Sequence, residues 1–350
     1  MYDFGKEIKP LDKRIMLAAE KKWDSIAKPL KSLGRLEEMI VRLCAIQNTL
    51  EPTADKKAVV VMCADNGVVA EGVTQTDSSV TAAVTENFTK GIGAVNAFAR
   101  ACGADVFPVD IGIQTDVAAE GIIRRKVAYG TKNFAKEPAM TRDEVMRAVQ
   151  VGIDIVGEMK KNGYNIIATG EMGIGNTTTS SAVLAALTGM SPSEVTGRGA
   201  GLSSEGLERK IRVIENALLL HKPDRNDVID VLSKVGGLDI CGICGLYIGG
   251  AVHGAAVMID GFISSVAALC AVRLAPECAD YIFASHCSNE PAGRAALEAV
   301  GKRAYLDCEM CLGEGTGAVI GMKLFDFALA AFGEIIRFEN AVFEQYEPLE

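Results

Sequence analysis

The chain has 350 residues, enough for one large domain or two, with 49% hydrophobic and 23% charged residues. Its formal net charge of −9 at pH 7 argues against nucleic acid or an anionic membrane as a partner, because many phosphates would repel it. A small anionic substrate remains compatible with this charge, since one phosphate needs only a local group of backbone amides.

The chain begins with helical segments and continues as short apolar runs that alternate with helices. Its start is too charged for a secretory signal peptide, and the first 50 residues predict helices that break at Lys28-Pro29. The predicted strands are residues 58–62, 105–109, 165–169, 255–259 and 281–284. The predicted helices are residues 80–101, 141–161, 177–187, 202–220, 227–234 and 262–272, followed by a long apolar helix over 318–338.

The predicted strands are unbroken apolar runs without alternation. This pattern is typical of a parallel sheet that helices cover on both faces. We therefore predict an α/β fold with a doubly wound, Rossmann-like parallel sheet. The N-terminal helices, with or without the C-terminal ones, would pack as a smaller helical unit.

The most apolar stretch, residues 240–259, is long enough to span a membrane and contains glycines four residues apart. Asp239 and Asp260 flank it, and no Lys or Arg anchors either end. These flanks favour a buried helix followed by a strand. We expect a protein without a membrane span that resides in the cytoplasm.

The ten cysteines raise the question of a metal site. Most of them lie in apolar runs, where a free thiol packs as a small hydrophobic group, and we expect them to be reduced. Two pairs have metal-ligand spacing, Cys241/Cys244 and Cys308/Cys311. The pairs are far apart and the first falls inside the apolar helix, so we expect no metal, with zinc as the alternative.

Polar and glycine-rich segments follow the ends of the predicted strands. In an open parallel sheet the ligand lies beyond the carboxyl ends of the strands. Four such ends lead into chemically capable residues, which predicts that they converge on one active site. They are Asp65-Asn66-Gly67, Gly170-Glu171-Met172-Gly173, Asp260-Gly261 and Ser285-His286.

A phosphate site is one of two interpretations of the segment that follows the predicted strand 165–169. Gly173 and Gly175 allow the backbone to turn so that N–H groups face one point, and Asn176 and Thr177 can cap the helix that follows. A capped helix without a ligand explains the pattern equally well. A second glycine cluster at residues 197–201, with Lys210 on the next helix, would close the other side.

Glu314 lies between two glycines immediately before the last helix. Glycines on both sides allow substrate to approach closely, and desolvation there would raise the pKa of the carboxyl toward that of a general base. The alternative is a carboxylate that stabilises a helix N-terminus. Glu171 is the second candidate for catalysis, and His286 is an orienting or a hydrogen-bonded core residue.

The ordered motifs resemble those of the nicotinate-nucleotide:dimethylbenzimidazole phosphoribosyltransferases. The resemblance covers nearly the whole chain, with GEMGIGNTT at 170–178 and LGEGTGA at 312–318 among the matching segments. The other segments are residues 28–37, 63–68, 71–73, 231–239, 260–262 and 285–290.

The resemblance implies transfer of 5-phosphoribose from nicotinate mononucleotide to a cobamide lower-ligand base, without a cofactor. Glu314 would be the general base and Glu171 a second active-site carboxylate. The residues expected to bind substrate are Gly173, Gly175, Asn176, Thr177, Gly199, Lys210, Asp239, Asp260, Ser285, Gly313 and Gly315. The family fold implies a large α/β domain over residues 51–317, a small helical domain from 1–50 and about 318–350, and a homodimer or a heterodimer with a related chain.

Three departures from the family pattern affect the acceptor. The family usually has His at the position of Asn66 and often Arg at that of Cys311, and Thr76 and Val84 replace a Ser and a Gln near the acceptor. We therefore place Thr76, Val84 and Asn66 in the acceptor pocket. Loss of the Gln favours phenol or p-cresol over dimethylbenzimidazole.

Two other classes of function remain as alternatives. A catalytically silent subunit that supports a related active chain would need a broken glutamate turn, whereas Glu314 and Glu171 are both present. A nicotinamide-dependent oxidoreductase fits the α/β pattern but lacks G-x-G-x-x-G after the first strand.

Overall fold

A six-stranded parallel sheet forms the centre of the protein in a computed structural model that describes residues 4–342 and residue 344. The strand order is β3-β2-β1-β4-β5-β6. The strands are β1 (Lys57–Ala64), β2 (Ala104–Gly112), β3 (Ile123–Arg124), β4 (Ile166–Met172), β5 (Ala256–Ile259) and β6 (Ile282–Ala284). Every residue of β1 is buried, as its apolar sequence predicts for a strand covered on both faces.

Thirteen α-helices surround this sheet in the described part of the chain. They are α1 (Lys13–Asp24), α2 (Arg35–Gln47), α3 (Ser79–Thr89), α4 (Ala94–Cys102), α5 (Arg142–Lys161), α6 (Asn176–Thr188), α7 (Pro192–Val195), α8 (Ser204–His221), α9 (Val228–Val235), α10 (Leu238–His253), α11 (Phe262–Leu274), α12 (Gly293–Ala299) and α13 (Thr316–Glu334). The α/β fold with a doubly wound parallel sheet is confirmed.

The sheet reverses its winding direction between β1 and β4, because β1 pairs with β2 on one side and with β4 on the other. At such a switch point the connecting loops leave in opposite directions and open a crevice beyond the carboxyl ends of the strands. The segments that follow β1 and β4 therefore border one space.

The apolar stretch over 240–259 is a buried helix, α10, followed by strand β5, as its flanks predict. Its glycines allow close packing on α5: a side chain at Gly152 would overlap the Gly242 carbonyl, and one at Gly245 the Val149 carbonyl. The glycines of α10 therefore allow this helix and α5 to approach closely in the core.

The predicted single helix over 80–101 is wrong, because two helices, α3 and α4, occupy this segment. Gly91 has a φ of +72°, a left-handed conformation that ends α3. Gly93 then caps the new helix, and its N–H donates to the side chain of Asn96 at 3.0 Å. This break places the N-terminus of α4 next to the carboxyl ends of the strands.

Helix α13 and the segment after it contact the N-terminal helix α1 and the segment that follows α1. The Phe332 ring of α13 lies 4.8 Å from the ring of Trp23 in α1, and Ile26 forms an antiparallel bridge with Arg337. The same helix packs against β4, β5, α2 and α4. Within residues 4–342, α13 is the helix with the length and composition to cross a membrane, and half of its most apolar window is buried in the protein. The division into two domains stays a prediction.

Candidate active site

A cleft of about 220 Å³ opens beyond the carboxyl ends of β4, β5 and β6. Polar residues from these three strand ends meet the turn before α13 and the loop between α7 and α8. The residues predicted from the sequence that line this cleft are Glu171, Gly173, Asn176, Thr177, Gly199, Asp260, Gly313 and Glu314.

Glu314 has a left-handed backbone, with a φ of +62° between Gly313 at +90° and Gly315 at +97°. A non-glycine residue in this region is strained by roughly 1–3 kcal/mol, and such strain clusters at functional sites. Its side chain Oε2 accepts a hydrogen bond from the Val95 N–H at 3.2 Å, in the first turn of α4. Burial raises the pKa of Glu314, whereas the amides of α4 lower it.

Glu171 is the next-to-last residue of β4 and is buried between two segments of the site. The Asn176 side chain donates to its Oε2, and the Glu314 N–H donates to its Oε1 at 3.3 Å. Burial raises the pKa of Glu171 well above its usual range, and the charges of Asp239 and Asp260 raise it further. Glu171 therefore ties the turn that carries Glu314 to the N-terminus of α6.

Asp260, which follows β5, holds the turn at the start of α13 by hydrogen bonds to its backbone N–H groups. Its Oδ2 accepts from the Gly315 N–H at 3.1 Å and its Oδ1 from the Ala318 N–H at 2.9 Å. Burial raises its pKa, and the nearby His286 opposes that shift. A carboxylate at a helix N-terminus is favoured by the helix dipole, so Asp260 holds the strained Glu314 segment in place.

The α6 end of the cleft combines a glycine turn with a buried lysine. Gly175 caps α6 with a φ of +93°, and a Cβ there would lie 2.8 Å from Val69 Cγ2. Lys210 Nζ donates to Thr177 Oγ1 at 2.8 Å and to the Gly197 carbonyl at 3.2 Å. Burial lowers the pKa of Lys210 to about 8. An ammonium has three protons, so these two bonds leave one for a ligand.

Five other residues predicted to bind substrate lie behind the cleft wall: Gly175, Lys210, Asp239, Ser285 and Gly315. Asp239 has no exposed surface, and burial raises its pKa to about 6. One of its oxygens accepts from its neighbour Ile240, and the other has no hydrogen-bond partner among the described residues. Ser285 Oγ donates to the Ile259 carbonyl at 2.6 Å. Asp239 and Ser285 are thus placed to support the wall.

The three predicted acceptor residues lie outside this lining. Asn66 is buried, accepts from Thr179 Oγ1 at 3.1 Å and so supports α6 from behind. Thr76 is exposed in the loop before α3, and Val84 is half-buried on α3 against the core. Val84 lies between Thr81, which binds the Ile174 N–H at 3.1 Å, and Phe88, which lies against Gly93. The α3 face is therefore close to the Glu314 side of the cleft.

Sequence reasoning missed two polar features of the site. The first is the N-terminus of α4, which becomes visible only once the helix break at Gly91 is known. The second is Glu290, which lines the cleft and falls in the matched segment 285–290 without an assigned role. The cleft also has an apolar side that includes Ile174, Phe262 and Ile263.

The two cysteine pairs lie in different environments. Cys241 and Cys244 are buried in α10, whereas Cys308 and Cys311 are exposed. Within residues 4–342 and residue 344, no group of three or more His, Cys, Asp or Glu side chains is arranged to hold a metal ion.

Comparison with known proteins gives whole-chain matches. The family model described as "Phosphoribosyltransferase" matches residues 8–342. A nicotinate-nucleotide–dimethylbenzimidazole phosphoribosyltransferase of Acetivibrio thermocellus is 51% identical over 343 residues, which are 98% of this chain and 98% of the relative. A protein of the same name from Ruminiclostridium cellulolyticum is 48% identical over 98% of this chain and 97% of the relative.

Solved structures with the same fold also match most of the chain. The crystal structure of CobT from Thermus thermophilus superposes with a TM-score of 0.88 at 39% sequence identity, covering 93% of this chain and 98% of that chain. A structure of nicotinate-nucleotide–dimethylbenzimidazole phosphoribosyltransferase from the same organism gives a TM-score of 0.87.

Proposed function

The chain belongs to the nicotinate-nucleotide:dimethylbenzimidazole phosphoribosyltransferases and is a nicotinate-nucleotide-dependent phosphoribosyltransferase, and from that premise we propose how its cleft works. It transfers the 5-phosphoribosyl group from nicotinate mononucleotide to 5,6-dimethylbenzimidazole, a cobamide lower-ligand base. The products are an α-riboside phosphate and nicotinate.

The convergence of a strained glutamate in the cleft and a buried lysine directly behind its wall carries this proposal. Glu314 and Glu171 lie at one end of the cleft, and Thr177 lies at the other, where its hydroxyl accepts from Lys210 behind the wall. Nicotinate mononucleotide has matching ends, a cationic pyridinium ring and a phosphate. The phosphate would bind at Thr177 and Lys210, which places the pyridinium and ribose C1′ near the carboxylates.

The reaction is a displacement at ribose C1′. A ring nitrogen of the acceptor bonds to C1′ as the bond from C1′ to the pyridinium nitrogen breaks, and that electron pair leaves with a neutral nicotinate ring. Attack from the opposite face converts a β-linkage into an α-linkage. The acceptor proton passes to Glu314, whose raised pKa improves it as a base. Glu171 and Asp260 hold Glu314 in position through backbone N–H groups of its turn.

The acceptor lies on the α3 side of Glu314 in this proposal. The relatives named above carry dimethylbenzimidazole in their names and give no support to the phenol that the sequence departures favour. Val84 and Thr76, which suggested a phenol, lie outside the cleft lining. A benzimidazole also has a large apolar edge, and Ile174, Phe262 and Ile263 offer apolar surface in the same cleft.

The remaining parts of the proposal concern the setting of the enzyme. We place it in the cytoplasm, as a homodimer or as a heterodimer with a related chain. The silent-subunit alternative has no support from the relatives, and both carboxylates are in place in the cleft.

A competition assay tests the function and the acceptor together. The purified chain, together with any related partner chain, is incubated with nicotinate mononucleotide and equal amounts of dimethylbenzimidazole and p-cresol, and nicotinate and the two ribosides are measured. We expect the benzimidazole riboside to dominate. Val84→Gln should leave that preference intact, because Val84 is not among the residues that line the cleft. A predominant cresol riboside would overturn the acceptor, and absence of nicotinate release with both acceptors would overturn the transfer itself.

A further inference from the structure

Glu290 lies at the phosphate end of the cleft, although no motif assigns it a role. It follows β6 and lines the cleft together with Thr177 and Gly199. Its carboxylate rests against Gly197, where any side chain would overlap Glu290 Oε2. The Gly197 carbonyl in turn accepts from Lys210 Nζ at 3.2 Å. One glycine turn therefore separates an anionic side chain from a cationic one.

The Glu290 carboxylate is half-buried, yet the described part of the chain offers it no hydrogen bond or ion pair. Lys210 is near enough to influence its ionisation, but the Lys210 ammonium bonds to Thr177 and Gly197 instead. Withdrawing a charged group from water without a partner is unfavourable. A ligand that brings hydrogen-bond donors would remove this penalty.

The sign of the charge restricts what can bind there. A carboxylate repels the phosphate of the nucleotide and accepts hydrogen bonds from hydroxyl groups. The ribose of the donor carries two free hydroxyls, at C2′ and C3′, and a carboxylate on a ribose hydroxyl is a recurrent mode of nucleotide recognition. Lys210 with Thr177 is the complementary partner for the phosphate.

We propose that Glu290 binds the 2′,3′-diol of the donor ribose, beside the phosphate held by Lys210 and Thr177. This inference rests on the proposed function, since that function supplies the donor. Glu290 is then a specificity residue that favours a ribose over a deoxyribose.

Calorimetric binding of the donor without acceptor tests this contact. Nicotinate mononucleotide and its 2′-deoxy and 3′-deoxy analogues are titrated into the wild type, Glu290→Gln and the matched control Glu298→Gln. Glu298 is an exposed carboxylate on α12, outside the cleft. In the wild type and the control, we expect removal of the bound hydroxyl to weaken binding about 10- to 100-fold, the value of a hydrogen bond to a charged group.

The decisive measurement is whether removing the ribose hydroxyl still weakens binding once the Glu290 carboxylate has been replaced. In Glu290→Gln the deoxy analogue and the full donor should bind within about threefold of each other, because the partner of the hydroxyl has been weakened. Glu290→Asp, which keeps the charge but shortens the side chain, should retain part of the discrimination. An equal loss on deoxygenation in the wild type and in Glu290→Gln would overturn the contact.

Turnover assays of the wild type separate this inference from the proposed function. Diol-dependent binding through Glu290 without transfer to an acceptor would leave the inference standing and overturn the function. Transfer with no dependence on Glu290 would overturn the inference alone. A wild type that does not bind nicotinate mononucleotide would overturn both.

Discussion

The two ends of the cleft bury charges of opposite sign by different means. At the carboxylate end, backbone N–H groups of α4 and α13 bind Glu314 and Asp260. At the lysine end, a hydroxyl and a carbonyl accept from Lys210. Among the described residues neither Glu314 nor Lys210 has a counter-ion in direct contact, and burial is the main cause of the pKa shift at both, upward for Glu314 and downward for Lys210.

The use of backbone N–H donors at one end and neutral oxygen acceptors at the other allows one cleft to hold two buried groups of opposite charge for a substrate that is itself charged at both ends. Dipoles and hydrogen bonds hold each group in place without neutralising it, so its charge remains available to the ligand. A cationic pyridinium suits the carboxylate end and a phosphate suits the lysine end. Substitutions at one end that leave the other end in place measure the contribution of each end.

The largest effect is expected at the carboxylate end. Glu314→Gln should lower kcat by roughly 10²–10⁴, the usual contribution of general base catalysis, and should weaken donor binding far less. Because burial raises the pKa of Glu314, the wild-type rate should fall as the pH drops through that pKa and the base becomes protonated. Steady-state kinetics across pH, with calorimetric donor binding, measures both effects.

Glu309→Gln is the matched control for this prediction. Glu309 is exposed on the segment that leads to Glu314 and also has a left-handed backbone, with a φ of +52°. Its substitution should leave kcat unchanged. If Glu314→Gln keeps near-normal turnover, or if the acidic fall in rate persists in that variant, Glu314 is not the base.

A smaller effect is expected at the lysine end, on binding instead of chemistry. Lys210→Met should weaken donor binding about 10- to 100-fold at pH 7, the value of a hydrogen bond between charged groups. Lys161→Met, an exposed substitution at the end of α5, serves as the control and should bind the donor normally. Calorimetry provides the affinities.

The pH dependence of donor binding identifies Lys210 in the wild type. Burial lowers its pKa to about 8, so the free enzyme loses this positive charge as the pH rises through that value. Donor affinity should therefore decline above pH 8 in the wild type and stay flat there in Lys210→Met. A wild-type decline that the variant retains would assign the titration to another group.

The smallest effect concerns the backbone between the two ends. Gly175→Ala forces a Cβ onto a residue with a φ of +93°, 2.8 Å from Val69 Cγ2, and should destabilise the protein by roughly 1–3 kcal/mol. The donor KM should also rise a few-fold as the α6 N-terminus shifts. Denaturant unfolding and steady-state kinetics measure the two changes.

Gly103→Ala separates backbone strain from the effect on the site. Gly103 has a φ of +70° after α4, with open space around it. This variant should lower the free energy of unfolding by about 1–2 kcal/mol without changing KM. An unchanged KM in Gly175→Ala would move the phosphate away from the start of α6.

The strands β1, β2, β4, β5 and β6 and the glutamate turn could be predicted because their signals are local. Each of these strands is a short apolar run, and Glu314 stands between two glycines in the sequence itself. The two-residue strand β3, Ile123–Arg124, was not predicted, because it is too short and too polar to give such a signal. The break between α3 and α4 was less visible, since the sequence around Gly91 allows a continuous helix and the turn at that residue decides otherwise. Predicting one helix there concealed the Val95 N–H that binds Glu314.

The sequence by itself determined the α/β class, the family and the strand ends that carry polar residues, because periodicity and short motifs are properties of neighbouring positions. Only the tertiary structure decided which of these residues line the cleft. Asp239 and Glu290 are both acidic residues of matched segments, yet the first is fully buried behind the wall and the second faces the cleft. Exposure depends on packing between elements that are distant in the chain, and so no local pattern could distinguish them.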